Sequence, residues 1–314
     1  MDINKEELLS SALQIRYIKL HIKIQFLEDT ILPKNKVSAL RGGIGEMLLR
    51  VNCIRDRNCE LCDFRTECIV QRTMYSQFEI KPSFVTKGDS VGYVYECTNY
   101  QEQFYAGEQM EFNLLLFGKT IVYFNQYMQA IYALGQQGIG KYNSKFVVVE
   151  VKNSKLQPVL KGTSLCMANY EIQTVKDYVR YRKKQLQERG CQYKLIFDTP
   201  LTLKYQGEFI QKFDCLALFS SIKRRIYMLN CFEGIETAIQ EMETKELEIV
   251  SQECKLQGVE RYSSRQGGKM MLRGIVGNLE VETWGEEELE LLLAGELLHI
   301  GKNTSFGFGH YRII

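Results

Sequence analysis

The sequence predicts an α+β protein built from two tandem βαββαβ units. Three observations carry that expectation: a long alternating strand near the start, the same order of elements in both halves, and an Ile-Gly-Lys ahead of each half's last strand. From Arg16 to Phe26 apolar and mostly polar residues alternate, the period of a half-buried strand. One face is Ile18, Leu20, Ile22, Ile24 and Phe26; the other, with Tyr17, Lys19, His21 and Lys23, is expected to be a basic, aromatic surface.

Ser38 is the expected cap of a helix over Ala39–Val51, whose apolar residues recur at helical spacing. A strand within Tyr93–Thr98, a strand Met110–Phe117, a helix Ile121–Leu134 and a β-branched strand Lys145–Val151 complete the first unit. After a charged, helical connection at Val175–Arg189 the order repeats: strand Lys194–Leu203, helix Asp214–Phe232, strands Leu247–Val259 and Met270–Val281, helix Glu286–His299 and strand Tyr311–Ile314. The expected domains are 1–152, with a cysteine cluster at 53–68, and 191–314, joined by 153–190. Gly138-Ile139-Gly140-Lys141 and His299-Ile300-Gly301-Lys302 stand at matching places, which suggests duplication.

With 45% hydrophobic and 25% charged residues, the 314-residue chain has the composition of an ordinary globular protein, not a disordered one. Met1–Ser10 is polar, and the apolar runs Phe146–Val149 and Leu291–Ala294 fall far short of the ~20 residues that span a bilayer. A cytoplasmic protein without a membrane partner is expected. A net charge of +2 does not argue for nucleic acid by itself; the local distribution of cations must decide.

Cys53, Cys59, Cys62 and Cys68 form C-x5-C-x2-C-x5-C directly after the first helix. Four thiolates at this spacing point to a structural zinc ion, closed to substrate because no coordination position is left. An iron–sulfur cluster, or no metal, are the alternatives. Arg55, Arg57, Arg65 and Arg72 surround the cluster, interleaved with acids.

The segment Gly301-Lys302-Asn303-Thr304-Ser305-Phe306-Gly307-Phe308-Gly309 is a glycine-rich turn between a helix and the last strand. Exposed N–H groups and Lys302 suit phosphate oxygens, and Phe306 or Phe308 suits a stacked base, unless the loop is merely a tight connection. Between two predicted strands, Arg261, Tyr262, Arg265 and Lys269 offer cations and an aromatic ring to RNA. Only three histidines exist. His299 ends the last helix, where the helix dipole favours the imidazolium and hence a general acid beside Lys302. His21 lies on the polar face of the first strand and His310 begins the last one.

Leu298-His299-Ile300-Gly301-Lys302 followed by Thr304-Ser305-Phe306-Gly307-Phe308-Gly309-His310-Tyr311 resembles the C-terminal glycine-rich signature of the RAMP superfamily. Glu260-Arg261-Tyr262-Ser263-Ser264-Arg265-Gln266 with Met270, and Leu40-Arg41-Gly42-Gly43-Ile44-Gly45, resemble motifs of its CRISPR repeat-processing endoribonucleases. The resemblance implies two ferredoxin-like, RRM-like domains that bind CRISPR repeat RNA and cleave precursor CRISPR RNA, with no metal for catalysis. By that reading His299, His21 and Lys302 are the catalytic candidates. Arg41, Arg261, Tyr262, Arg265, Lys269, Gly301, Lys302, Phe306, Gly307 and Gly309 are the RNA-binding ones. The expected product is a 2′,3′-cyclic phosphate from attack of the adjacent 2′-hydroxyl. A non-catalytic RAMP subunit of a CRISPR effector complex is the alternative, and a zinc-stabilised protein-interaction module is a third reading that leaves the glycine loop unexplained.

Overall fold

A computed structural model describes residues 4–85, 90–161, 164–186, 192–263, 268–282 and 285–314. Contacts divide the chain into a unit Tyr17–Ile172 and a second unit that joins Met1–Arg16 to Gln173–Ile314. The first helix, α1 (Lys5–Ala12), therefore belongs with the C-terminal half; Asn230 Nδ2 donates to the carbonyl of Ala12 at 2.9 Å.

In the unit Tyr17–Ile172 the elements are β1 (Arg16–Phe26), α2 (Val37–Asn52), α3 (Ile69–Thr73), β2 (Tyr93–Glu96), β3 (Gln109–Phe117), α4 (Phe124–Gln137) and β4 (Phe146–Lys152). The strand order β2-β3-β1-β4, with antiparallel neighbours, is that of a ferredoxin-like fold. Alternation in β1 does what the pattern predicts: Ile18, Leu20, Ile22, Ile24 and Phe26 are all buried in a core with Leu40, Ile44 and Leu48 of α2 and Tyr127, Ile131 and Leu134 of α4. Its other face differs from expectation. Tyr17 is buried, Lys19 pairs with Glu96 at 2.8 Å and Lys23 with Glu111 at 2.8 Å, so acids on β2 and β3 neutralise the basic stripe. Ser38 is not the cap of α2 either. Lys36 holds that position with no side-chain bond, its buried ammonium turned instead to the carbonyls of Pro33, Lys34 and Asn99. The helix expected over Ile121–Leu134 begins as a 3₁₀ turn, Gly118–Tyr123, and becomes α-helical only from Phe124.

The second unit repeats the plan with α5 (Val175–Leu186), β5 (Gln192–Leu201), α6 (Cys215–Glu233), β6 (Glu248–Ser263), β7 (Gly268–Glu282), α7 (Glu286–Leu298) and β8 (Tyr311–Ile313). Its strand order, β6-β7-β5-β8, matches that of the first unit, again antiparallel. Helix α7 carries four of its five glutamates in its first five residues, and from Leu291 to Leu298 it is buried on every side. Its buried Glu296 takes a bidentate bond from Arg182 of α5, a hydroxyl bond from Tyr178 and the N–H of Ile313. Strands β6 and β7 run further than their apolar pattern suggests, with pairing as far as Ser263 and Gly268. From Gly268 to Gly274 β7 does not pair with β5, so the end of this hairpin is a two-stranded ribbon.

Candidate nucleic-acid interface

Strand β5 reaches Leu201, and the chain then turns through Thr202 into a small hairpin, Lys204–Tyr205 against Glu208–Phe209. Gln206 and Gly207 have φ of 47° and 89°, the two positive values that a tight two-residue hairpin turn needs. Thr202 fastens three segments: its hydroxyl donates to the carbonyl of Arg273 on β7, and its carbonyl accepts the N–H of Lys302.

The glycine loop is built on these anchors. Gly301 has φ of 80°, and a Cβ there would stand 2.6 Å from the Thr202 carbonyl; at Gly309, φ 69°, it would stand 1.8 Å from that of Ile300. Glycine is needed because the backbones touch. The donors are accordingly spent inside the protein: Gly301 N–H on Ser221 Oγ, Lys302 on Thr202, Phe306 on Asn303, Gly307 on Thr304 and Gly309 on Pro200. This corrects the expectation of an exposed N–H cradle for phosphate. Gly301, Gly307 and Gly309 shape the loop, and its outward chemistry lies in side chains. Phe308 is buried and unavailable for stacking. Phe306 is half-buried, with the Arg261 guanidinium 4.5 Å from its ring centroid. Lys302 is exposed, with Nζ 5.1 Å from the ring of Phe209, itself an exposed aromatic. Loop, ribbon and small hairpin thus present two cation–aromatic pairs, a combination that suits phosphate together with a stacked base.

Other expected residues are placed differently. Lys269 is exposed on the ribbon and paired with Glu260 at 2.9 Å. Tyr262 stands opposite Lys269 in the strand register, and Arg265 lies outside the described residues. Arg41 turns toward the core: its guanidinium carbon is 5.8 Å from the ring of the buried Tyr93 and its Nη2 donates to Ser90, so it is not displayed to RNA. The Gly-Gly-Ile-Gly beside it reflects packing, since a Cβ at Gly43 would meet Leu134 of α4 at 2.7 Å.

His299 follows α7 as its C-cap, wholly buried, with φ of 57° and Nδ1 3.1 Å from the carbonyl of Phe308. Its ring packs 4.9 Å from that of His310. A proton donor must touch the leaving oxygen, and a ring without exposed surface does not; as placed, His299 braces the loop. Two residues that sequence reasoning missed complete this brace. On α6, Arg225 donates through Nε to the Leu298 carbonyl and Ser221 receives Gly301, and burial lowers the guanidinium pKa to about 10. Their signal was two polar residues four apart on an otherwise apolar helix face. The exposed Phe209 was also missed, although its Gln-Gly turn was readable.

His21 belongs to the other unit. It is half-buried, its pKa lowered first by burial and then by Lys19, against a bond from Asn113 that raises it. A neutral imidazole at pH 7 suits a proton acceptor.

Cys53, Cys59, Cys62 and Cys68 all line one cavity of about 360 Å³, although no three of their sulfurs lie within 4.8 Å of one another. Among the described residues no helix is long and apolar enough to cross a membrane.

A family model described as the AF_1859_N N-terminal domain matches residues 13–175, and one described as CRISPR-associated endoribonuclease Cas6 matches residues 195–311. No curated protein matches the sequence. Among solved structures, a partial Cas6-RT-Cas1–Cas2 complex aligns with a TM-score of 0.57 at 13% identity, over 96% of this chain and 46% of that one. This chain therefore spans about half the length of that relative. The product complex of the Thermus thermophilus Cas6 aligns with a TM-score of 0.52 at 13% identity, over 95% of this chain and all of that one. A second Cas6 product complex aligns with 0.52 at 16%, over 95% and 99%. At such identities the structures speak for the fold. The two family domains, one over half of the chain and one covering the glycine loop, place this chain in the Cas6-like family of CRISPR-associated RNA-processing proteins.

Proposed function

We propose that the protein is an endoribonuclease that binds CRISPR repeat RNA and cuts precursor CRISPR RNA. The adjacent 2′-hydroxyl attacks the scissile phosphate, the 5′-oxygen leaves, and a 2′,3′-cyclic phosphate remains, with no metal in the chemistry. The observation that carries this reading is the pair of cation–aromatic contacts, Arg261 on Phe306 and Lys302 on Phe209, within the segment matched by the Cas6 family. In this reading a base stacks at Phe306 or Phe209 and Lys302 offsets charge on the phosphorane; His21, in the other unit, is a proton-acceptor candidate on its own chemistry. The protein works in the cytoplasm, where precursor RNA is made, and other CRISPR proteins are its partners.

A second reading, a binding subunit without cleavage, is favoured by the burial of His299 and the committed loop donors. Repeat RNA is incubated with the protein in EDTA, beside the same RNA carrying a 2′-deoxy group at the cut. Cleavage of the unmodified RNA alone supports the enzyme; tight binding of both without cleavage supports the subunit.

A further inference from the structure

We propose that Cys53, Cys59, Cys62 and Cys68 bind one Zn²⁺ as four thiolates, and that this ion is the structural staple of segment 53–68. Helix α2 ends with Cys53 as its C-cap, a 3₁₀ turn runs from Cys59 to Leu61 and is closed by Cys62, and Cys68 caps the start of α3. All four side chains face the same cavity, with the backbone N–H of Arg57 directed at Cys53 Sγ at 3.2 Å. An N–H aimed at sulfur is the usual support of a thiolate ligand.

Apart from short-range backbone hydrogen bonds, the segment is held by exposed ion pairs, Arg55 with Asp63 and Arg57 with Glu46 of α2, which contribute little to stability. Ile54, Leu61 and Phe64 are 68%, 72% and 58% exposed, so the segment builds no core of its own. Asp56 and Arg57 adopt φ of 45° and 66°, conformations that cost a residue with a Cβ free energy. A chain piece that buries little and contains strained residues needs a cross-link, and a tetrahedral metal provides it. Charge is consistent with this. Zinc with four thiolates carries two negative charges, and Arg55, Arg57 and Arg65 line the same cavity. Zinc–sulfur bonds of about 2.3 Å require the sulfurs to draw closer than they stand. The hydrogen bonds inside the segment span few residues, as in Asn58 to Arg55 and Arg65 to Cys62, so this closure is local. On binding, each thiol gives its proton to solvent and its sulfur lone pair to the metal; no redox partner is involved.

The test is metal analysis of the full chain after reconstitution with Zn²⁺ under reducing conditions. We expect about one zinc per chain, retained by Cys97→Ser and lost from the Cys59→Ser/Cys62→Ser double variant. Because that variant can fail to fold, the wild-type protein is also loaded with Co²⁺. Intense thiolate-to-cobalt charge-transfer bands with tetrahedral d–d absorption are expected, and Zn²⁺ should displace both. Folded wild-type protein that takes up no metal, iron with acid-labile sulfide, two disulfides among these cysteines, or an octahedral cobalt spectrum would each overturn the proposal. None of these readouts depends on RNA cleavage.

Discussion

In the first unit α4 ends on Gly138, at φ 96° and ψ 154°, whereas in the second α7 ends on His299, at φ 57° and ψ 146°. Each is followed by a buried isoleucine, then by a glycine at nearly the same φ, 77° for Gly140 and 80° for Gly301, then by an exposed lysine. The device is shared, but the loop it opens is not. In the first unit Ile139 and Ser144 exchange both backbone hydrogen bonds; in the second Ile300 donates to Gly309. The span from 300 to 309 exceeds that from 139 to 144 by four residues. Those added residues make room for the turn Thr304–Phe306, which sets Phe306 against Arg261. One helix end closes a fold with a short loop, and its counterpart opens a wider one that carries a cation–aromatic contact.

If the two units divide the work, the largest effect should come from the first. His21→Ala should slow single-turnover cleavage by at least about a hundredfold with little change in affinity, as loss of a general base does. Because burial and Lys19 hold the imidazole pKa below its ordinary value, His21 is already the free base at pH 7. Wild-type rates should therefore rise with pH only below about 6.5 and stay level above it, and the variant should lack that acid limb. A variant with an unchanged pH–rate profile would remove His21 from the chemistry.

Glycine replacements separate the two loops by stability. Both Gly301→Ala and Gly140→Ala force a side chain into positive φ, at a cost of about 1–2 kcal/mol. At Gly140 the new Cβ meets the movable Leu32 side chain, but at Gly301 it meets the Thr202 carbonyl that holds Lys302. Gly301→Ala should thus cost about 3 kcal/mol, read from urea midpoints at constant slope, and more than Gly140→Ala. Equal losses would mean that the close contact at Thr202 relaxes without penalty.

The paired lysines sharpen the comparison further. Lys302→Ala should weaken repeat-RNA binding by about tenfold and lower the salt dependence by about one counterion, as loss of one phosphate contact does. Lys141, beside the exposed Tyr142, stands at the same position of the narrow loop, and its replacement should change affinity little. Binding measured across a salt series distinguishes them; equal losses would make both units RNA-binding surfaces.

The fold was legible in the sequence because its units are short and periodic. The alternation of β1 and the repeated order of elements are set by burial, which leaves a period in the residues. The long ribbon of β6 and β7 was only partly readable, since beyond Val259 it is held by cross-strand hydrogen bonds rather than an apolar face. Of the candidate site, Arg261, Lys302 and Phe306 were found from local composition. Arg41 entered through the resemblance alone, and His299 and the loop glycines were read as site residues because helix ends and glycine turns look alike whether they pack or bind. Only the partners Tyr93, Phe308 and Thr202, all distant in sequence except Phe308, decide which they do.

The smallest effect discriminates best between a histidine that braces and one that reacts. His299 adopts a conformation nearly reserved for glycine, at a cost of about 1–3 kcal/mol, and regains part of it through the Nδ1 bond to Phe308, worth about 1 kcal/mol. His299→Gly should relieve the first term and lose the second, as well as the packing on His310. Its stability should therefore fall within about 1 kcal/mol of wild type, as expected where Gly138 serves in the first unit. His299→Ala loses the bond and keeps the strain, so it should be about 1 kcal/mol less stable than His299→Gly. Cleavage measured below both melting temperatures completes the test. If the ring is a brace, His299→Gly cuts RNA at a rate within severalfold of wild type. A loss of a hundredfold or more in a variant that is equally stable and binds RNA equally well would instead put His299 in the chemistry, and would require its buried ring to reach the RNA during the reaction.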